Sequence, residues 1–245
     1  IYQCDWSSDV CSSDLTCEHA GNRVPAAHAA LFAGQEEVLA THRGWDPGAL
    51  ALARLLAAEL EAPLLFCAAT RLLADPNRSE GHPALFSEFS RALPAAGRRA
   101  LLDLAWRPHR AAVRQAAQDL LARRGAVLHL AVHSFTPVLR GRTRDLDLGL
   151  LYDPARPREA RLAEAWKAVL RSAAPALRVR RNAPYRGASD GLPTSLRREL
   201  GPGYLGLELE ASQALFPDPH AAPPDLARTL ARTLRDALTL LSAGL

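Results

Sequence analysis

Four short stretches hold residue types that bind metal ions or move protons. Thr16-Cys17-Glu18-His19-Ala20-Gly21-Asn22 sets a carboxylate beside an imidazole just after an apolar run. Imidazole nitrogen and carboxylate oxygen are both common zinc ligands. A capping turn before a following helix would use the same residues. His133-Ser134-Phe135-Thr136-Pro137 ends a second apolar run with a histidine that can project into the same crevice. His129 precedes it in period-two register and reads as a core histidine. Asp75-Pro76-Asn77-Arg78, with Arg71 upstream, offers a planar guanidinium fork and amide donors suited to a carboxylate. Leu207-Glu208-Leu209-Glu210 puts two glutamates on one side of a leucine-rich strand. A half-buried carboxylate has raised proton affinity and can serve as a general base. A solvent-facing sheet edge would show the same alternation. Asp46-Pro47 has the form of an N-cap with proline at the first helical position, which would explain Asp46 without chemistry. Trp106, His109 and Asn182-Ala183-Pro184-Tyr185 read as loop or helix-break residues.

The elements that must position these groups alternate between short apolar runs and longer amphipathic segments. Strands are expected at 15–18, 63–70, 126–133, 147–152, 177–181 and 204–210. Helices are expected at 24–33, 46–61, 94–124 (in two pieces broken near Pro108), 158–172 and 225–242. Residues 71–92 read as mixed loop. Strands alternating with helices predict a single α/β domain of three layers, with a mixed, mostly parallel central sheet flanked by helices. In such sheets ligands sit beyond the carboxyl ends of the strands, where Glu18-His19, His133-Ser134 and Glu208/Glu210 fall.

Composition narrows the function. Of 245 residues, 48% are apolar, enough for a full core. No run of 18 uncharged apolar residues occurs, so no membrane span is expected. There is no P-loop, no G-x-G-x-x-G, no H-E-x-x-H and no G-x-S-x-G, so phosphate-cradle, dinucleotide and nucleophile-elbow chemistries lack support. The formal charge of +4 is carried almost entirely by arginine, Lys167 being the single lysine. The arginines are spread along helices among acids, which reads as solvated faces rather than a nucleic-acid stripe.

Residues 1–15 (IYQCDWSSDVCSSDL) differ from the Ala/Leu/Arg-rich remainder. DWSSDVCSSDL resembles the translation of a sequencing adapter. The segment is therefore expected to be a disordered non-native scar, with residues 16–245 forming an N-terminally truncated domain; the absence of methionine fits that expectation. Removing its three aspartates and no base takes the formal charge from +4 to +7. It also leaves only Cys17 and Cys67, too few for a disulfide framework, which fits a cytoplasmic setting.

Taken in order, eight segments resemble the N-formylglutamate amidohydrolase family. They are CEHAGNRVP at 17–25, HRGWDPGA at 42–49, TRLLADPNR at 70–78, WRPHRAAV at 106–113, VHSFTPVLRG at 132–141, DLGLLYD at 147–153, NAPYRG at 182–187 and LELEASQALF at 207–216. The resemblance implies a fold like zinc carboxypeptidases and aspartoacylases. It also implies metal-assisted hydrolysis of an N-acyl amino acid, N-formyl-L-glutamate giving formate and glutamate. By the same resemblance a zinc ion, or another divalent transition metal, is held by His19, His133 and an acid, Asp46 first and Glu18 second. Asn22 stands where carboxypeptidases carry an acid, and an amide is a poor zinc ligand. Asn77 and Arg78 hold a substrate carboxylate, with Arg71, Asn182 and Tyr185 as further substrate residues. Glu210 is the general base, with Glu208 behind it. The expected partner is a small anionic substrate, with no nucleic acid and no membrane; the sequence leaves the oligomeric state open. Two other readings stand beside this one: a related deacylase or peptidase acting on another N-acyl amino acid, and a non-enzymatic protein that binds small carboxylates.

Overall fold

Period-two and continuous apolar runs become strands, and the 3.6-residue patterns become helices, in a computed structural model that describes residues 13–243. The strands are β1 (Ser13–Cys17), β2 (Leu64–Phe66), β3 (Val127–Phe135), β4 (Val138–Leu139), β5 (Arg142–Thr143), β6 (Leu148–Leu151), β7 (Val179–Arg181) and β8 (Tyr204–Ser212). The α-helices are α1 (Glu37–Ala40), α2 (Ala49–Leu60), α3 (Ala95–Leu101), α4 (Arg107–Arg124), α5 (Pro157–Ala173), α6 (Leu192–Leu200) and α7 (Pro224–Ala243). Six strands form one sheet in the order β2-β1-β3-β8-β6-β7. All neighbours are parallel except β6, which runs antiparallel to β8. The predicted mostly parallel α/β sheet flanked by helices is therefore what forms. β4 and β5 make a separate hairpin.

Alternation along the strands divides the two faces of the sheet. Leu15, Leu128, Leu130, Leu148, Leu150, Leu207 and Leu209 point to one side, where α2, α5 and α7 cover them in the main core. Val127 and Tyr204 point to the other, where Val113 and Ala117 of α4 and Leu192 and Leu196 of α6 close over them. That second face also carries the polar residues of the crevice: Glu18, His133, Glu208 and Glu210.

Several expectations change. The strand expected from Leu15 begins earlier, with Ser13 and Asp14 of the leader: Leu15 pairs with Leu64 and Leu130, and Asp14 pairs with His129. Residues 1–12 of that leader lie outside the described residues. Val24–Ala33 is a 3-10 helix over Ala26–Phe32 rather than an α-helix. The break near Pro108 is a π-helical turn, Leu102–Trp106, running straight into α4 with Pro108 in its first turn. Gly125 ends α4 at φ 73°, in the left-handed region that glycine tolerates. The β4–β5 hairpin and α6 had no counterpart in the sequence reading.

Asp46 does not cap α2. Gly48 occupies the N-cap position at φ 82° and no side chain caps the helix. The Asp46 side chain turns instead into the crevice.

Candidate active site

Asp46 is held in place from its backbone: its N–H donates to His19 O at 2.9 Å. Its carboxylate meets two histidines from neighbouring strands. Asp46 Oδ2 lies 2.9 Å from His133 Nδ1 and 3.4 Å from His19 Nδ1, and Asp46 Oδ1 accepts from Arg71. All three residues are buried. One donor atom from each of His19, Asp46 and His133 lies within 4.8 Å of the other two.

The far nitrogens of both histidines face acids. His19 Nε2 donates to Asp75 Oδ1 at 2.7 Å. His133 Nε2 lies 3.0 Å from Glu18 Oε2. Asp75 holds His19 Nε2–H, and Nδ1 of each ring faces Asp46 Oδ2, where a bound ion would take both Nδ1 lone pairs. Ligating histidines are typically oriented by such outer carboxylates. Two neutral imidazole nitrogens and a carboxylate oxygen are a zinc-type donor set that leaves a further position open. Charge argues the same way. Glu18, Asp46, Asp75, Glu208 and Glu210 are all buried, and among the described residues both oxygens of Glu18 and Oε2 of Glu210 have no hydrogen-bond partner. These residues fit a divalent cation.

Glu18 therefore does not stand where a metal ligand would. It sits on the far side of His133, between that ring and His109, whose Nε2 is 3.7 Å from Glu18 Oε1. Glu18 and His19 lie in the turn just past β1, and there the two side chains face different partners, His133 and His109 for Glu18, Asp46 and Asp75 for His19.

The ionisation of these groups follows from the contacts. Burial opposes charge on Asp46, but Arg71 and the two histidines outweigh it and hold the carboxyl well below its usual range. Burial likewise opposes charge on Glu18 and Asp75. His109 and His133 win at Glu18, and His19 with Arg71 and Arg78 at Asp75, so both are pushed down. Burial alone would lower His133, yet Asp46 and Glu18 raise it well above the ordinary value. Glu210 goes the other way: burial, with Asp46 and Glu208 nearby, pushes it up to about 8. A carboxyl whose proton affinity lies near neutrality is placed to exchange protons in a reaction. Burial also raises Glu208, whose Oε2 is 3.9 Å from His133 Nε2.

His19, Asp46, His133, Glu208 and Glu210 line a cavity of about 300 Å³ with Arg71, Asn77, Arg78, Tyr185 and Arg186 on its walls. Asn77 sits 3.5 Å from His133 Nε2 and accepts from Leu192 N. The Arg78 guanidinium donates to Asp190 O and keeps Nε without a partner. Arg71 is tied to Asp46, so its charge serves the cluster before any substrate. Tyr185 is half exposed at the mouth, where its hydroxyl accepts from Arg144. Asn182 does not line the cavity. At φ 48° it folds its side chain back, and its oxygen accepts from Tyr152 N and Gly187 N. Asparagine is one of the few residues that adopts this conformation readily, so its role is to shape the turn.

That turn is anchored from below. Arg197 and Glu159, both buried, form an ion pair at 3.0 Å. Arg197 donates to Gly187 O and Gly206 O, and Glu159 accepts from Gly206 N and Asp153 N. The pair pins the 182–187 turn to β8, the strand that carries Glu208 and Glu210.

Sequence reading gave no role to Asp75, His109 or Arg186. The usable signal for Asp75 was a general one: a ligating histidine needs an acceptor for its other nitrogen. His109 had no such signal, because only the helix start at Trp106 brings it to Glu18. Trp106 Nε1 and Arg110 from the same turn hold the Arg78 and Pro76 carbonyls. His129 is the core histidine expected, between Thr16 and Tyr204, and burial lowers it to about 4.

Comparison with known proteins identifies the family and the fold. A family model described as N-formylglutamate amidohydrolase matches residues 15–216. A solved gene product from Agrobacterium tumefaciens is 31% identical, covers 95% of this chain and 91% of its own, and superposes with a TM-score of 0.77. The crystal structure of N-formylglutamate amidohydrolase from Ralstonia eutropha JMP134 is 20% identical over 97% of this chain and 95% of that one, with a TM-score of 0.66, a likeness of fold. A search of curated proteins gives no match. The chain belongs to the N-formylglutamate amidohydrolase family and is, by that membership, an amidohydrolase.

Proposed function

We propose that this chain hydrolyses the amide bond of an N-acyl amino acid with the help of a divalent metal ion, N-formyl-L-glutamate being the substrate its family indicates. The observation that carries this reading is the convergence of His19, Asp46 and His133, each histidine backed by its own acid, beside a carboxyl poised near neutrality. His19 Nδ1, His133 Nδ1 and Asp46 would hold the ion, with zinc the best match to the donor set. A bound ion of this kind polarises a carbonyl and acidifies water.

The chain's own groups supply the rest. Glu210 takes a proton from the attacking water at its unpartnered Oε2 and delivers it to the leaving amide nitrogen. The nitrogen then departs as the amine of the amino acid, and the acyl group as its acid. Asp75 orients the His19 ring through Nε2, and Glu18 sets a negative charge 3.0 Å from His133 Nε2. Arg78 and Asn77 receive the substrate carboxylate, which fixes the scissile bond against Glu210. The guanidiniums on the cavity wall favour a small anionic substrate.

The test is hydrolysis of N-formylglutamate before and after chelation, with activity restored by zinc. Glu210→Gln should lower kcat by about 10²–10⁴-fold while metal binding and folding persist. Full activity in the chelated protein, or in Glu210→Gln, would refute the mechanism.

A further inference from the structure

A second concavity, of about 450 Å³, lies between the residues that follow β2 and the first turns of α4. It is larger than the catalytic cavity and shares no lining residue with it. Its walls are mostly apolar. Phe66 and Leu104 stand 43% and 44% exposed there, although each is large and hydrophobic. Leu104 belongs to the π-helical turn, a feature often found at functional sites. Among the described residues no acid lines the groove. At its rim is Arg23, exposed and joined to no acid among the described residues. A second guanidinium, that of Arg54, lies over the Phe66 ring at 5.5 Å.

An apolar trough with a free guanidinium at its edge and no opposing charge suits one ligand chemistry: a carboxylate attached to an apolar body. The carboxylate answers the planar fork of Arg23. The body covers Phe66 and Leu104, which water now touches. The groove also reaches the metal cluster. His109 forms part of its lining and stands 3.7 Å from Glu18 Oε1, and the other oxygen of Glu18 lies 3.0 Å from His133 Nε2. We propose that this groove is a second binding site, taking a small carboxylate with an apolar tail, and that its occupation alters metal binding through His109, Glu18 and His133. Binding here is measurable whether or not the chain hydrolyses formylglutamate.

The probe is octanoate, titrated calorimetrically into the full chain, with octanol and acetate as controls for tail and charge. Saturable one-to-one binding is expected, at least tenfold tighter than either control. Arg23→Gln and Leu104→Glu replace exposed side chains outside the catalytic machinery. Each should weaken octanoate at least tenfold with unchanged melting temperature. Equal affinity in both variants would overturn the site. So would displacement of octanoate by formylglutamate in the inactive Glu210→Gln protein, which would place it in the catalytic cavity. A concentration-dependent dimer abolished by Leu104→Glu would overturn it too, assigning the groove to a second copy of the chain. Zinc affinity should shift at least threefold when octanoate is bound, and octanoate affinity by the same factor when zinc is bound. Unchanged zinc affinity would overturn the link to His133.

Discussion

Replacing Asp14 by asparagine should stabilise this protein, and the gain should depend on pH. Asp14 lies in β1, beside the central strand of the sheet, only 2% exposed, with Oδ2 unpartnered among the described residues. Burial pushes its carboxyl from 3.8 up to about 6; Arg123 tempers the shift and Asp119 adds to it. Because the folded-state value is above the unfolded one, the folded chain holds this proton more tightly. Stability is therefore greatest below about pH 4, falls as pH rises to about 6, and is level beyond that. A shift of about two units corresponds to roughly 3 kcal/mol at neutral pH. With Arg123 within reach of the carboxylate, a gain of about 1–3 kcal/mol is expected for the neutral side chain. For a chain of this size that raises the melting temperature by about 2–12 °C. Urea melts of both proteins at pH 4 and pH 7.5 would measure it. The two should coincide near pH 4 and separate at pH 7.5. A difference that is absent at pH 7.5, or equal at both, would show that the Asp14 charge is not the cause.

Three further outcomes follow from the site. Asp75→Asn weakens the acceptor on His19 Nε2 and should lower zinc affinity about 10–100-fold; competition against a chromophoric chelator reads this directly. Arg78→Gln removes a charge-assisted contact of about 1.5–3 kcal/mol, so KM for formylglutamate should rise by about an order of magnitude or more with kcat largely kept. An unchanged KM would remove Arg78 from the substrate site. Gly149→Ala would put a Cβ 2.0 Å from Ala183 O and 3.2 Å from Glu210 Cβ. Overpacking of that kind costs about 1–3 kcal/mol, and thermal melts should show the loss together with reduced activity.

The fold was largely legible because its long elements announce themselves. The apolar runs of β3 and β8 and the amphipathic pattern of α7 each carry their own signal. The misses are elements too short or too polar to do so. α6 buries only Leu192, Pro193, Leu196 and Arg197, and β4 and β5 pair two residues each. The candidate site divides along a different line. His19, His133 and Glu210 sit at strand ends, where the sheet itself directs them. Asp46 followed by Pro47 looks the same in sequence whether it caps a helix or faces a metal. What decides between them is contact with histidines 27 and 87 positions away. Glu18 and Asn182 show the same ambiguity in reverse: each has a suitable side chain, but the backbone aims it elsewhere.

The buried Glu159–Arg197 pair separates two jobs that the cavity wall must do. It fixes Gly187 against Gly206 through carbonyl and amide groups, which every residue type possesses. Between Asn182 and that anchor, Tyr185 and Arg186 line the cavity and take no part in the Glu159–Arg197 network. Substitutions there can change which substrate fits while leaving the position of Glu210 untouched. The arrangement makes this turn an evolvable segment, a place where selection can retune specificity without rebuilding the catalytic core.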